Sequence, residues 1–275
     1  MSDLGRVFSR KAFIAFVTAG DPDIETTERI IPAMAEAGAD LIEIGIPFSD
    51  PIAEGPVIQA ADVRALSNRI TTDDIFDMAE RIRAGGCDVP LAVMTYMNPV
   101  FVYGPDRFME RCAKAGICAV IVPDVPYEEK GELQPACRRH GVKLVSMIAP
   151  TSEERIAMIA SEAEGFLYVV SSLGVTGMRS KFSSNLRDMV AAVKRVTDIP
   201  CAVGFGVSTP EQAAAMASFA DGAIVGSAIV DIIAKHGRDS VPYVAEYVRS
   251  MRAGIDASVG VASSAVTKKE AAEAR

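Results

Sequence analysis

The sequence predicts a single (β/α)8 barrel, on three observations. Short apolar runs recur eight times, each followed by a stretch with helical periodicity. The runs are apolar almost throughout, as in parallel strands covered on both faces. Eight such units over about 245 residues match the count and size of this barrel. A doubly wound open sheet is the alternative built from the same units. The expected domain is residues 1–255. Residues 256–275, rich in Ala, Ser and Lys, are expected to form a flexible C-terminal tail.

The predicted strands are 13–17, 41–46, 91–94, 119–122, 143–148, 166–170, 201–205 and 222–225. A helix is predicted over 26–37, with Ile30, Ile31, Met34 and Ala35 on one face. The step from the second strand to the third is about 50 residues, against mostly about 23–35 elsewhere, so an insertion lies in a loop on the catalytic face. That insertion opens with Ser49-Asp50-Pro51-Ile52-Ala53-Glu54-Gly55-Pro56. The polar, glycine-bearing stretch 171–184 after the sixth strand reads as a second extended loop, suited to a lid.

Composition excludes several classes. The chain has 275 residues, 28 Lys+Arg and 36 Asp+Glu, for a net charge of −8. That balance, with no basic block longer than pairs such as Arg138-Arg139 and Lys268-Lys269, argues against nucleic-acid binding. Residues 12–20 imitate a leader after Arg6, Arg10 and Lys11, but the run is short and ends in Asp21-Pro22-Asp23. It reads as a buried strand, and the expected compartment is the cytoplasm. Cys87, Cys112, Cys118, Cys137 and Cys201 form no C-x-x-C pair and read as small buried apolar residues. His140 and His236 lack zinc-site spacing, so no metal is expected.

Three features carry chemistry. The last three strands end in glycine-bearing turns: Gly174-Val175-Thr176-Gly177, Gly204-Phe205-Gly206 and Gly226-Ser227. Glycines admit an anion close to the backbone and helix N-termini direct N–H groups at it, so these turns suit a phosphate bound without a basic cluster. Ordinary tight βα turns are the competing reading.

Glu43 interrupts an apolar strand. Alternation puts it with Leu41 and Gly45 on the face opposite Ile42, Ile44 and Ile46. The isoleucines suit the helix layer, which turns Glu43 toward the barrel interior near the mouth. Desolvation there raises a carboxyl's proton affinity and fits it for proton transfer. A structural carboxylate paired with Lys or Arg is the alternative. Glu54, between Pro51 and Pro56, is a surface acid taken alone and a second carboxylate above the same mouth taken with Glu43. Lys11 and Lys143 sit at strand starts, away from where a Schiff-base amine belongs. What remains is metal-free acid–base chemistry on a phosphorylated substrate.

These pieces together resemble the tryptophan synthase α subunit family. The resemblance rests on Phe16-Val17-Thr18-Ala19-Gly20-Asp21-Pro22, Glu43-Ile44-Gly45-Ile46-Pro47-Phe48-Ser49-Asp50-Pro51, Gly55-Pro56 and Pro123-Asp124-Val125-Pro126. It continues through Gly174-Val175-Thr176-Gly177, Gly204-Phe205-Gly206 and Gly226-Ser227-Ala228-Ile229-Val230. It implies retro-aldol cleavage of indole-3-glycerol phosphate to indole and glyceraldehyde 3-phosphate. Glu43 stands at the family's catalytic glutamate. Glu54 stands where the family usually has a catalytic aspartate, one methylene shorter. Phe16, Met94, Tyr96, Ile121 and Tyr168 match the indole pocket, and Gly177, Gly206, Gly226 and Ser227 the phosphate cradle. Asp50 and Thr176 match loop positions that couple to the partner. That partner is a β subunit carrying pyridoxal phosphate in an α2β2 assembly, with no cofactor on this chain. A weakly catalytic module that activates the β subunit, or another phosphosugar barrel enzyme, are the competing expectations.

Overall fold

The computed structural model describes residues 4–170, 179–204 and 206–273. A one-turn helix α1 (Leu4–Val7) precedes β1 (Ala12–Thr18), α2 (Ile24–Glu36) and β2 (Leu41–Gly45). The loop after β2 leads into two helices, α3 (Pro56–Ser67) and α4 (Thr72–Ala84), before β3 (Leu91–Met94). The extra length between the second and third predicted strands is therefore occupied by a whole additional helix. Next come α5 (Met97–Tyr103), α6 (Pro105–Lys114), β4 (Ile117–Ile121) and α7 (Gln134–His140).

The fifth predicted strand is divided. It forms β5 (Lys143–Leu144) and β6 (Ser146–Ile148), separated only by Val145. Then follow α8 (Glu153–Ser161), β7 (Leu167–Val170), α9 (Arg179–Lys194), β8 (Cys201–Gly204), α10 (Pro210–Ala217), β9 (Gly222–Val225), α11 (Ser227–His236) and α12 (Val241–Glu273). Helix α12 runs through the position, 255/256, at which the sequence divides barrel from tail. No helix among the described residues is long and apolar enough to cross a membrane.

All strand pairs are parallel, in the order β5-β4-β3-β2-β1-β9-β8-β7-β6. The two ends of that order are the halves of one strand, so the chain itself joins them through Val145 into a nearly closed barrel. Val145 stays in place by donating its N–H to the Val120 carbonyl at 2.9 Å.

Alternation along the strands builds two cores. Ala12, Ile14, Leu41, Ala92, Ala119, Ile121, Val145, Ala202 and Ile224 meet inside the barrel. Phe13, Ala15, Val17, Ile42, Ile44, Val93 and Val120 face the helices. Small alanines between branched residues let the inward side chains interdigitate in a narrow interior. Leu41 facing in and Ile42 and Ile44 facing out fix the direction of Glu43 between them.

Helix starts follow their capping residues. The Asp23 carboxylate accepts from Thr26 N at 2.8 Å to open α2. Thr209 and Gln212 form a capping box at α10, with Pro210 as its first residue.

Candidate active site

Glu43 lies on the inward face of β2, level with Phe16 of β1 and Ala92 of β3. It is only 1% exposed, and its Oε1 has no hydrogen-bond partner among the described residues. No lysine or arginine among the described residues pairs with it, so the structural ion-pair alternative does not hold. Burial, and then the nearby charge of Glu54, push its proton affinity up to a pKa of about 8. It is a carboxylic acid at neutral pH, able to give a proton and to take one back. The buried phenol of Tyr168 is close enough for the Glu43 charge to add to the effect of burial in raising its own proton affinity.

At the C-terminal ends of the strands lies a cavity of about 420 Å³. Its lining includes Phe16, Glu54, Met94, Met147 and Tyr168, together with Gly204, Gly206, Val207, Ser208, Gly226 and Ser227. The lining thus combines apolar and aromatic side chains with glycine-bearing, neutral backbone: Gly226 lies against Phe16 and Gly204 against Tyr168. Gly206 holds φ at +65°, a conformation open to glycine at little cost. Gly226 precedes the first turn of α11, whose free N–H groups begin at Ser227. No lysine, arginine or histidine side chain lines the cavity among the described residues. Lys11 is tied to the Ala220 carbonyl (2.8 Å), close to where β9 begins.

The structure thus brings Phe16, Met94, Tyr168, Glu54, Gly206, Gly226 and Ser227 together on one cavity. Glu43, Tyr96 and Ile121 are buried without forming its wall. Asp50 is exposed in the loop after β2, where the Ser49 hydroxyl donates to it at 2.5 Å. Gly177 and Thr176 lie outside the described residues.

Glu54 is held from two sides. It shares hydrogen bonds with Asp62 of α3 and with the Tyr96 hydroxyl; burial raises its proton affinity and both bonds oppose the rise. The Tyr96 hydroxyl also accepts the Ala53 N–H at 3.1 Å, and its ring lies 5.4 Å from that of Phe48. Burial and the adjoining Glu54 carboxyl push Asp62 up to a pKa of about 9. Asp124, after β4, accepts the Met97 N–H at 2.9 and 3.2 Å and so opens α5 beside Tyr96.

Asp62 is absent from the candidates drawn from sequence. The available signal was its place in the stripe Ile58, Ala61, Asp62, Ala65, at helical spacing and facing the barrel.

Fold and site together define a (β/α)8-barrel enzyme that presents carboxyl groups, rather than lysines, to a half-apolar cavity. Comparison with known proteins makes this specific. The family model described as tryptophan synthase alpha chain matches residues 5–257. The tryptophan synthase alpha chain of Lacticaseibacillus casei is 46% identical over 258 residues, covering 94% of this chain and 97% of that one. Its counterpart in Lactiplantibacillus plantarum is 48% identical, covering 93% and 97%. The crystal structure of tryptophan synthase subunit alpha from Legionella pneumophila superposes with a TM-score of 0.85 at 36% identity, covering 93% of this chain and 99% of that one. A tryptophan synthase complex from Pyrococcus furiosus is similar as well, with a TM-score of 0.80 at 34% identity, covering 88% and 98%.

The chain belongs to the tryptophan synthase alpha chain family. It is a lyase of tryptophan biosynthesis that cleaves indole-3-glycerol phosphate to indole and glyceraldehyde 3-phosphate, working with a β subunit.

Proposed function

We propose that Glu43 is the proton shuttle of this cleavage and that Glu54 meets the indole nitrogen. The carboxylic acid of Glu43 gives its proton to C3 of the indole ring. The ring then carries positive charge and becomes an electron sink. The hydroxyl on the carbon attached to C3 returns a proton to the Glu43 carboxylate, and its oxygen becomes the aldehyde carbonyl. The carbon–carbon bond breaks and its electrons restore the aromatic indole. Protons balance, because Glu43 ends as it began. Each such assisted transfer contributes about 10²–10⁴-fold. The Glu54 carboxylate opposes the positive charge as it builds on nitrogen.

In this reading Phe16, Met94 and Tyr168 hold the indole ring, with Tyr96 and Ile121 supporting them. The backbone at Gly206, Gly226 and Ser227, with Gly177, holds the phosphate. The neutral lining at these residues supports this, because backbone N–H groups and a helix start are the donors they offer.

The chain needs no cofactor of its own; pyridoxal phosphate belongs on the β subunit. The proposed assembly is α2β2 in the cytoplasm. Docking around the mouth is supported by Ile52, Phe101 and Val102, which are 79%, 68% and 78% exposed close to the ends of β2 and β3. Asp50, in the same loop as Ile52, and Thr176 would relay that contact to the site.

One observation carries the proposal: an acid with no partner among the described residues, buried beside the cavity so that burial raises its proton affinity. Glu43→Gln tests it. Indole release should fall by at least about 10²-fold, while glyceraldehyde 3-phosphate binds as in the parent. Retention of most activity would exclude the shuttle role.

A further inference from the structure

Asp62 has no part in the chemistry described so far, yet it is 3% exposed on the face of α3 that packs over the barrel mouth. Ala61, its neighbour on that stripe, packs with Phe16 and Val230. The groups that face Asp62 come from several elements. Glu54, from the loop after β2, shares a hydrogen bond with it; Asp21, after β1, adds negative charge. Tyr96, at the start of α5, reaches the same Glu54, and Glu43 of β2 feels the Glu54 charge from the other side.

Among the described residues, the cation next to this pair, Arg64, is committed elsewhere. Arg64 grips Asp21 through Nε and Nη2 at 2.7 and 2.8 Å. Meanwhile Glu54 Oε2 and Asp62 Oδ2 are both buried, and no N–H or hydroxyl donor among the described residues reaches either. Two carboxyls in contact without a cation cannot both be ionised, so one proton is shared between them.

We propose that Asp62 is a positioning residue for the lyase reaction: as a carboxylic acid it donates a hydrogen bond to Glu54 and fixes the Glu54 carboxylate at the cavity wall. This rests on the reading of Glu54 as the group that meets the indole nitrogen. It explains how a glutamate keeps its charge in a half-buried site where no described residue supplies a cation. Asp62 carries the proton, on the side away from the cavity, and the Tyr96 hydroxyl supplies the second donor. An amide at position 62 can replace the donor; a methyl group cannot. The donor also has a pH limit that an amide lacks. Once the shared proton leaves, two like charges face each other and Glu54 is pushed from its place.

The test compares Asp62→Asn, Asp62→Ala and Glu54→Gln, each assembled with the β subunit, by kcat and KM for indole-3-glycerol phosphate from pH 6 to 10. Asp62→Asn should keep kcat/KM within about threefold at pH 7, and Asp62→Ala should lose about 10- to 100-fold. The parent should fall off at high pH through both Glu43 and the Glu54–Asp62 pair. Asp62→Asn should keep only the Glu43 limb and so decline less steeply above pH 9. Parent-like activity in Asp62→Ala would overturn the proposal. So would an alkaline limb unchanged in Asp62→Asn, a readout that still decides the matter if Asp62→Ala does not fold. If Glu54→Gln itself stays active, the Glu54 reading fails instead, whatever the Asp62 variants do.

Discussion

The ring of Phe16 fills the space a side chain at position 45 would need: a Cβ built on Gly45 falls 2.5 Å from Phe16 Cζ. Gly45 is the next inward position after Glu43 on the way to the mouth. The ring therefore lies across β2 above the acid, and the lack of a side chain at 45 is what lets it do so. Gly45→Ala should drive Phe16 into the cavity. The expected result is a KM for indole-3-glycerol phosphate raised about tenfold and a stability loss of about 1–3 kcal/mol from overpacking. Steady-state kinetics and thermal melts check both. A parent-like KM would show that Phe16 does not shape the indole end.

Asp124 joins two loops at the mouth by accepting the first free N–H of α5 with both carboxylate oxygens. Helix α5 also carries the exposed Phe101 and Val102. Asp124→Ala leaves that N–H without its cap, which costs about 1 kcal/mol. The melting temperature should drop by about 2–4 °C for a chain of this size. Titration with the β subunit should show weaker binding, because the apolar patch loses its anchor. Unchanged affinity would move the docking surface off α5.

Much of this site was legible because strands report their own faces. Glu43 stood out as one acid in an otherwise apolar strand, and the isoleucines beside it gave its direction before any tertiary contact was known. The insertion after β2 was legible as length alone. Asp62 was not, because α3 buries an alanine-rich stripe that contrasts weakly with its other faces. Between Ala61 and Val63, an aspartate reads as a surface acid until the helix is packed on the barrel. The interruption at Val145 was hidden for a different reason. Residues 143–148 read as one run, but β5 pairs only with β4 and β6 only with β7. The strand changes partner midway, which its own sequence does not record. The cavity lining was also illegible in part: Tyr96 and Ile121 match pocket positions, yet they are buried without forming its wall.

Tyr96 links the inserted loop to Glu54. Its oxygen accepts from Ala53 N at 3.1 Å, which leaves the hydroxyl hydrogen for Glu54. Tyr96→Phe keeps the ring against Phe48 and removes both bonds. Each is worth about 0.5–1.5 kcal/mol, so kcat/KM should fall about tenfold with the fold intact. A ligand-bound structure of the variant should show the loop around Ala53 displaced. An undisturbed loop with full activity would mean that Asp62 alone suffices to hold Glu54.

Glu43 should make the protein less stable as pH rises, the reverse of an ion-paired carboxylate. Its ordinary value is 4.5 and its folded value about 8. Between those limits the unfolded chain has released a proton that the folded chain still holds. Rising pH therefore favours unfolding across that window, and the loss levels off above pH 8. Glutamine has no proton to release. Glu43→Gln should match the parent near pH 4 and gain on it steadily, by roughly 4–5 kcal/mol at the upper limit. Asp62→Asn should behave in the same sense between 3.8 and about 9. Denaturant titrations at pH 4, 6 and 8 measure the difference directly. A Glu43→Gln advantage that shrinks with pH would mean the acid is ionised in the folded protein. The shuttle would then have no proton to give at neutral pH.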